Sequence, residues 1–396
     1  MSLLFEPMQV GNLQIKNRFV HSATCENMAT ERGEVTDDLV KRYQRLARGE
    51  VGLIIPGYLY IDPLGRGSPR QTGIHRDDLI PGLKRVADTI HEEGGLVVFQ
   101  LAHAGMATSK AIAGQTPVGP SDARRNPIYF FKPKKMTEAQ IQQVVRDFGQ
   151  AARRAVEAGA DGIQIHAAHG YLVSEFLSPF FNDRDDAWGG SDENRFRFLK
   201  EVLLEVRKVM PEGMPLLVKF NGHDHIPQGG IMPPLAAKYA GWMAGLGIDG
   251  LEVSCGTVLF SPWNECRGDV PVDEMADTFS WWMRPLARWM LKSDAGKYDL
   301  EEGYNLEPAK RIRPAAGDVP LFLVGGMRRV SQMEEVLGAG HADFISMSRP
   351  FIREPHLVRR IREGKTDVAA CQSCNKCLVS YSAGVPVRCY YAGLPQ

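Results

Sequence analysis

The sequence lacks an excess of either charge, because 47 basic and 47 acidic residues cancel over its 396 positions. It contains no run of about eighteen apolar residues, which is the length that a membrane-spanning helix needs. Its N-terminus also lacks the basic segment and long apolar run of a secretory signal. These absences argue against a nucleic-acid partner, a membrane partner and secretion. We therefore expect a cytoplasmic protein that acts on small molecules.

Cysteine is also scarce. The chain has seven cysteines, which are too few for a disulfide framework in a protein of this length. Four of them lie within residues 371–389. This crowding favours reduced thiolates that bind a ligand together.

No Gly-x-Gly-x-x-Gly motif follows an early strand, which argues against an open, doubly wound sheet. What the sequence does have is eight apolar runs separated by stretches of helical periodicity. The runs are residues 19–23, 52–56, 96–101, 162–166, 216–220, 250–254, 321–324 and 344–347. Buried parallel strands that alternate with helices predict an α/β protein with a (β/α)8 TIM barrel.

The chain is longer than a single barrel of roughly 250 residues, so it has room for an insert and an appendage. We expect the barrel to cover residues 1–355 and a C-terminal cysteine-rich segment to cover 356–396. The insert, residues 255–318, is an unusually long interval between two strands and contains Trp263, Trp281, Trp282 and Trp289. It is predicted to be a lid or substrate wall, or else an aromatic packing insert without ligand contact.

The most informative motif is the run QIHAAHGY at residues 164–171. It places His166, His169 and Tyr171 at the end of a predicted strand, where barrel enzymes carry catalytic groups. Two imidazoles can bind a carbonyl oxygen by hydrogen bonds while the phenol donates a proton beside it. That arrangement suits the reduction of an activated C=C bond. A zinc pair or two turn histidines would produce the same motif.

A phosphate site is predicted after the last two strands. Gly325 and Gly326 follow the seventh strand, and Ser348 and Arg349 follow the eighth. Glycine lets backbone N–H groups approach a phosphate and arginine adds a positive charge, at the place where barrels commonly bind phosphate. Tight-turn glycines beside a surface arginine are the alternative. A phosphate alone does not distinguish a flavin from a sugar phosphate.

Two polar residues lie inside apolar strands. Gln100 and Lys219 would be costly to bury without a polar ligand. An isoalloxazine ring fits both, since Gln100 can pair with its pyrimidine edge and Lys219 can stabilise the negative charge that develops on reduction. Cys25, after the first strand, is placed to contact the same ring, although an ordinary buried cysteine is the simpler interpretation.

Several segments carry a resemblance to one family. They are residues 4–19 (LFEPMQVGNLQIKNRF), 166–172 (HAAHGYL), 175–179 (EFLSP), 188–190 (WGG) and 194–195 (NR), with Gly325, Gly326 and Arg349. Together they make nearly the whole chain similar to the Old Yellow Enzyme family of FMN-dependent ene-reductases.

The resemblance implies a flavin at the barrel mouth, a homo-oligomer, and NAD(P)H as the reductant. It implies that His166 and His169 bind the substrate carbonyl and that Tyr171 protonates the carbon α to it. The residues that would line FMN are Ala23, Thr24, Cys25, Gly57, Gln100, Lys219, Gly325, Gly326, Ser348 and Arg349. Two departures are visible. The family usually has arginine where this chain has lysine at 219, and residues 26–27 (EN) replace an aromatic substrate contact near Cys25.

The four crowded cysteines follow the spacing Cys371-x2-Cys374-x2-Cys377-x11-Cys389. Three thiolates on one tight loop with a fourth from a returning segment are a ferredoxin-like way to hold a [4Fe–4S] cluster. Structural zinc more often uses separated pairs, and unliganded cysteines are the remaining possibility. The segment also resembles the iron–sulfur loop of the trimethylamine dehydrogenase and 2,4-dienoyl-CoA reductase group. Those proteins continue into an FAD and pyridine-nucleotide domain, so a cluster here implies an electron-transfer partner protein.

Three functions follow from these expectations. The leading one is an FMN-dependent ene-reductase that reduces α,β-unsaturated carbonyl compounds with NAD(P)H. The second is an FMN and iron–sulfur dehydrogenase or demethylase that passes electrons to a partner. The third, a flavin-free lyase or isomerase of sugar phosphates, would use the two histidines as acid and base.

Overall fold

The computed structural model describes residues 2–227 and 229–391. Its centre is a barrel of eight parallel strands, each close to one of the predicted runs. They are β1 (Phe19–His21), β2 (Leu53–Ile54), β3 (Val98–Ala102), β4 (Gly162–Ala167), β5 (Leu216–His223), β6 (Gly250–Cys255), β7 (Leu321–Val324) and β8 (Phe344–Met347). The strands pair in chain order and β8 pairs with β1.

A parallel bridge between Ile54 and Val97 joins β2 to the start of β3 and completes the ring. A ninth short strand, Leu59–Tyr60, continues the β2 segment and pairs with the end of β3. The expected TIM barrel is therefore confirmed.

Eight helices surround the barrel, one after each strand. They are α1 (Asp37–Arg48), α2 (Ile80–Glu92), α3 (Glu138–Glu157), α4 (Asp192–Arg207), α5 (Pro233–Gly245), α6 (Leu306–Ala316), α7 (Val330–Gly338) and α8 (Leu357–Arg362). Hydroxyl side chains at Thr36, Thr137 and Ser191 accept hydrogen bonds from the first turns of α1, α3 and α4. These N-caps fix where the helices begin, and the apolar faces pack on the strands.

The remaining elements lie before β1, in the connections, or in the C-terminal segment. Three are 3-10 helices, Leu3–Phe5, Pro63–Gly65 and Asp77–Leu79. The α-helical pieces are Lys110–Ala113, Leu172–Leu177, Pro262–Glu265, Val272–Ala276, Arg284–Asp294, Arg349–Arg353 and Lys376–Ser382. Strands Val118–Gly119 and Lys134–Lys135 pair with each other, as do Met8–Val10 and Leu13–Ile15.

The barrel interior changes from apolar to polar along its axis. At the N-terminal end of the strands, Phe322 and Phe344 stack with ring centroids 4.5 Å apart, and Val10 and Ile15 of the antiparallel hairpin belong to the same buried cluster. Alternate residues farther along the strands point inward and are polar. The interior therefore supports the fold at one end and presents polar groups at the other, where barrel enzymes place their active sites.

Two barrel helices lie near the expected domain boundaries. Helix α6 falls within the residues expected for the insert, 255–318, and packs against α5 and the neighbouring strands as a barrel helix does. The start of α6 is difficult to predict from the sequence, because the helix contains Pro314. Helix α8 follows β8 and lies beyond the expected boundary at residue 355.

The C-terminal segment folds back over the mouth of the barrel. The Val387 N–H donates to the carbonyl of Glu26 (2.7 Å), and Arg42 donates to the Val387 carbonyl (2.9 Å). Residues 392–396 of the expected segment lie outside the described residues. Within residues 2–227 and 229–391, no helix has the length and apolar character to cross a membrane.

Candidate active site

The two histidines and the tyrosine of the HAAHGY run meet at the C-terminal end of β4. His166 lies in β4, and the chain then turns through His169 and Gly170, which have φ of 64° and 72°. Glycine adopts this left-handed conformation readily, but for His169 it is costly unless the surroundings hold it. Here Asn221 accepts from the His169 N–H (3.2 Å), and the His169 carbonyl accepts from the Val258 N–H (3.0 Å).

These three side chains form one buried group. The ring centroid of His166 lies 5.1 Å from that of His169 and 4.8 Å from that of Tyr171. All three residues are buried. The structure thus brings together the three residues that the sequence predicted to be catalytic.

Both histidines are held in the neutral form. Burial, assisted by the positive charge of Lys219, moves the pKa of His166 and of His169 well below the usual value. His166 Nδ1 has no hydrogen-bond partner among the described residues. His169 Nε2 lies 2.7 Å from Ser254 Oγ, and its Nδ1 lies 3.4 Å from a carboxylate oxygen of Glu265. Neutral imidazoles donate hydrogen bonds here rather than protons.

Tyr171 is the protonated group of the set. Its hydroxyl lies 2.8 Å from that of Tyr58, whose hydroxyl lies 3.4 Å from that of Tyr381. Burial raises the pKa of Tyr171 well above the usual value for a phenol. The phenol therefore keeps its proton at neutral pH.

Glu265 brings a titratable carboxyl from the insert to this group. Burial raises its pKa to about 7, although the positive charges of Lys219 and Arg349 oppose the shift. The charge beside His169 therefore changes near neutral pH.

A line of polar side chains crosses the barrel below the histidines. Gln100 donates to Gln164 (2.6 Å), which donates to Glu252 (3.0 Å). Lys219 lies 3.8 Å from Glu252 and donates to Ser22 (2.8 Å). The register of the strands causes this, since Gln100 pairs with Gln164 and Lys219 pairs with Glu252.

Three buried oxygens of the barrel interior have no partner in the described part of the chain, Gln100 Oε1, Glu252 Oε1 and Ser346 Oγ. Buried polar atoms in native proteins are nearly always hydrogen-bonded. A bound polar ligand would supply the missing partners. The sequence pointed to Gln100 and Lys219 but not to the side chains that they contact, which are Gln164, Glu252 and Ser22.

The predicted phosphate residues lie at the mouth, after β7 and β8. Gly325 and Gly326 have φ of 143° and 75°, so both need glycine. Thr24 and Ser348 join their hydroxyls at 2.5 Å. Arg349 is buried and donates to the Arg267 carbonyl (2.8 Å) and to Asn375 of the C-terminal segment (2.5 Å). The arginine thus connects the barrel with both appended parts.

Three further residues that were expected to line FMN are Gly57, Cys25 and Ala23. The Gly57 N–H donates to Glu26 (2.7 Å) and to Tyr43 (2.9 Å), and a Cβ at this position would meet the Glu26 carboxylate at 2.3 Å. Packing therefore accounts for glycine at 57. Burial raises the pKa of Cys25 to about 11, so it is a neutral thiol. Ala23 is partly buried beside the inner apolar cluster.

The four crowded cysteines meet at a second site. Cys371, Cys374, Cys377 and Cys389 line one pocket together with Arg349. All seven cysteines of the chain are free thiols. Arg328 lies beside the pocket, with Nη2 3.7 Å from Cys371 Sγ. In the described part of the chain, no three His, Cys, Asp or Glu side chains are arranged to hold a single metal ion.

Sequence reasoning missed several residues of the mouth. These are Tyr58, Glu265 and Tyr381, together with the interior residues Gln164 and Glu252. Glu252 and Gln164 carried a signal, since each is a polar residue inside an apolar strand. Tyr58, Glu265 and Tyr381 come from three separate connections, and nothing in their local sequence shows that they meet at the histidines.

The family model for the NADH:flavin oxidoreductase / NADH oxidase family matches residues 3–267. The chain belongs to this family. It is 33% identical to the 4,4'-dithiodibutanoate disulfide reductase of Rhodococcus erythropolis, over 98% of this chain and 94% of that protein. It is therefore an FMN-dependent oxidoreductase of the ene-reductase type that uses NAD(P)H, which excludes the flavin-free lyase or isomerase.

Two solved structures are similar to nearly the whole chain. A complex of 2-naphthoyl-CoA reductase with 2-naphthoyl-CoA is 27% identical to the chain, with a TM-score of 0.85. The match covers 98% of this chain and 56% of the reductase chain. The old yellow enzyme homologue from Zymomonas mobilis is 26% identical with a TM-score of 0.71, over 92% and 93%. The chain spans about half the length of two other relatives. It covers 53% of a metal reductase of Desulforamulus reducens and 52% of an NADH oxidase of Thermoanaerobacter brockii.

Proposed function

We propose that this oxidoreductase reduces the C=C bond of an α,β-unsaturated carbonyl compound at the mouth of the barrel. The single observation that carries the proposal is the buried group of two neutral imidazoles and one protonated phenol. Neutral donors can hold an oxygen on which negative charge develops, and a phenol with a raised pKa can supply the proton that the reaction needs.

The residues at the mouth fit FMN. Gln100 Oε1 and Ser346 Oγ are buried oxygens without a partner among the described residues, and Lys219 supplies a positive charge beside Glu252 of the same line of polar side chains. Gly325, Gly326 and Arg349 lie after β7 and β8, where barrels commonly bind phosphate, and Arg349 supplies a positive charge there. FMN, when bound, supplies the hydride.

The chain's own residues perform the other steps. His166 and His169 each donate their single N–H to the carbonyl oxygen, and Ser254 orients His169 by donating to its other ring nitrogen. Tyr171 gives its proton to the carbon α to the carbonyl. The buried position of all three residues excludes water from the carbonyl, which strengthens the hydrogen bonds to it.

The wild-type protein tests this proposal. The flavin should be reduced by NAD(P)H without oxygen and then reoxidised by an equivalent of 2-cyclohexenone, with cyclohexanone as the product. Stopped-flow absorbance and product analysis would measure both steps. A reduced flavin that one-electron acceptors reoxidise but the enone does not would contradict the proposal.

We propose in addition that the four cysteines of the C-terminal segment hold a [4Fe–4S] cluster. The four thiols line one pocket beside Arg328 and Arg349, whose charges suit an anionic cluster. The four cysteines of the pocket match the four thiolates that a cubane needs. Iron and zinc analysis decides between the cluster and zinc, and equimolar zinc without iron would overturn the cluster.

A second candidate function is an FMN and iron–sulfur dehydrogenase or demethylase with an electron-transfer partner. The observation that favours it is the closeness of the two sites, since helix Lys376–Ser382 carries Cys377 and also places Tyr381 at the mouth. Stoichiometric anaerobic reduction of the flavin by candidate amines would support it. Reduction by NAD(P)H alone, followed by enone turnover, would favour the ene-reductase.

A further inference from the structure

We propose that Tyr58 and Tyr381 form a proton relay that supplies Tyr171 from solvent. The proposal rests on the proposed reduction, in which Tyr171 gives its proton to the substrate. It assigns a task to two tyrosines from separate connections, one of them on the cysteine-rich segment.

The three phenol hydroxyls lie close together, and one of the three tyrosines is partly exposed. The Tyr171 hydroxyl lies 2.8 Å from that of Tyr58, and the Tyr58 hydroxyl lies 3.4 Å from that of Tyr381. Tyr171 and Tyr58 are 3% and 9% exposed, and Tyr381 is partly exposed. This row of three phenols, as we call it, therefore connects the buried histidine group with the surface through Tyr381.

The surroundings of Tyr171 make such a relay necessary. Once its proton has left, a phenolate stays in a buried site where the charged form is strongly disfavoured. The adjacent imidazole of His166 is not the source of a replacement proton, because burial keeps it neutral and lowers its pKa. Cys25 is a neutral thiol and lies toward Ser68 and Asn27. The hydroxyl in hydrogen-bond contact is that of Tyr58.

The steps balance without a further reactant. The Tyr171 O–H bond breaks as the new C–H bond forms at the α carbon. The Tyr58 proton moves to the Tyr171 oxygen, the Tyr381 proton moves to the Tyr58 oxygen, and a solvent proton reaches Tyr381. One proton is taken up in each turnover and all three phenols return to their starting state.

The position of Tyr381 is fixed by the chain and not by the relay contact alone. Its backbone carbonyl accepts from the Asn27 side chain (3.1 Å). Tyr381 also lies one helical turn after Cys377 in the helix Lys376–Ser382. The cysteine-rich segment thus holds the outer end of the relay against the barrel.

Tyr58→Phe and Tyr381→Phe test the relay, because each removes one hydroxyl and keeps the ring. Tyr60→Phe is the matched control, since Tyr60 lies two residues from Tyr58 and its ring stacks on His75 away from the row. The measurements are anaerobic stopped-flow rates of flavin reduction by NADPH and of reoxidation by 2-cyclohexenone, in water and in heavy water. Reoxidation is also measured in mixtures of the two solvents, where a curved dependence on the deuterium fraction indicates that several protons move together.

We expect Tyr58→Phe to slow reoxidation by the enone at least tenfold and to change the curved dependence to a linear one. Tyr381→Phe should slow reoxidation severalfold, because water can replace its hydroxyl in part. Reduction by NADPH should stay within twofold of wild type in both variants and in Tyr60→Phe. The loss of curvature separates a relay from a merely structural effect of the hydroxyl.

Wild-type reoxidation with an unchanged rate and curvature in Tyr58→Phe would overturn the relay and leave the proposed function intact. A wild-type protein that the enone does not reoxidise would contradict the proposed function, and the relay with it.

Discussion

At the scale of single residues, the mouth of the barrel is defined by inward-pointing polar side chains at the ends of apolar strands. The sequence alone identifies Gln100, Lys219 and His166, because a polar residue inside a buried strand needs a partner. It does not identify Glu265 or Tyr381, because these residues reach the mouth from distant parts of the chain. The local sequence pattern therefore predicts which strands contribute residues to the site. Only the fold shows which distant segments contribute the others.

The carboxyl of Glu265 should make the binding of small anions depend on pH. Burial raises its pKa to about 7, so it is neutral below that pH and negative above it. We expect acetate, which is an anion throughout pH 6–8, to bind severalfold more weakly as the pH rises through about 7. Perturbation of the oxidised flavin spectrum would measure the affinity.

Glu265→Gln is the control for this effect, because it keeps the shape of the side chain and removes the charge. Its acetate affinity should be nearly flat from pH 6 to 8. The lowered pKa values of His166 and His169 keep both rings neutral over this range. A wild-type profile that does not change, or a variant that keeps the change, would show that another group titrates.

At the scale of elements, the insert and the C-terminal segment are attached to the barrel at the same place. Arg349, after β8, donates to the insert at Arg267 and to the segment at Asn375. Asn375 donates in turn to the carbonyls of Cys266 and Asp269. The sequence predicted both parts from length and cysteine spacing. It did not predict that they share an arginine, because contacts between distant loops leave no local pattern.

Cys374→Ser should remove the bound metal and leave the flavin in place. The cysteine lines the C-terminal pocket, whereas the interior residues proposed to meet the flavin ring lie on the barrel strands. Loss of one thiolate is enough to destroy a four-cysteine site. Metal analysis and the flavin absorbance of the same preparation would measure the two occupancies.

Cys255→Ser is the matched control, because Cys255 lies in β6 outside the pocket and the serine hydroxyl can replace its hydrogen bond to Asn264. It should keep both metal and flavin. Joint loss of metal and flavin in Cys374→Ser alone would mean that the segment holds the barrel mouth together.

At the scale of the whole molecule, the barrel separates stability from chemistry along its axis. The end with Phe322 and Phe344 is apolar and closed by a hairpin, and the opposite end is polar and covered by the insert and the C-terminal segment. The period of the apolar runs predicted this architecture well, since each strand needs only its own buried run. The sequence gives a weaker signal for α6 and α8, because α6 contains Pro314 and α8 has only six residues, three of them arginines.

Phe344→Ala should lower the free energy of unfolding by about 3–5 kcal/mol, because it removes a fully buried ring that stacks on Phe322. The flavin absorbance per folded protein should not change, since the ring lies at the end of the barrel opposite the mouth. Thermal or denaturant unfolding would measure the stability. Unchanged stability, or loss of flavin from a protein of normal stability, would contradict this division.

The central claim is that Tyr171 is the proton donor of the reduction at the mouth. Tyr171→Phe, compared with Tyr60→Phe in anaerobic stopped-flow, tests it most directly. We predict that reduction of the flavin by NADPH stays within about twofold of wild type. Reoxidation by 2-cyclohexenone should slow by about 10²–10⁴-fold, because only that step needs the proton. Equal slowing of both steps, or of neither, would contradict the role assigned to Tyr171.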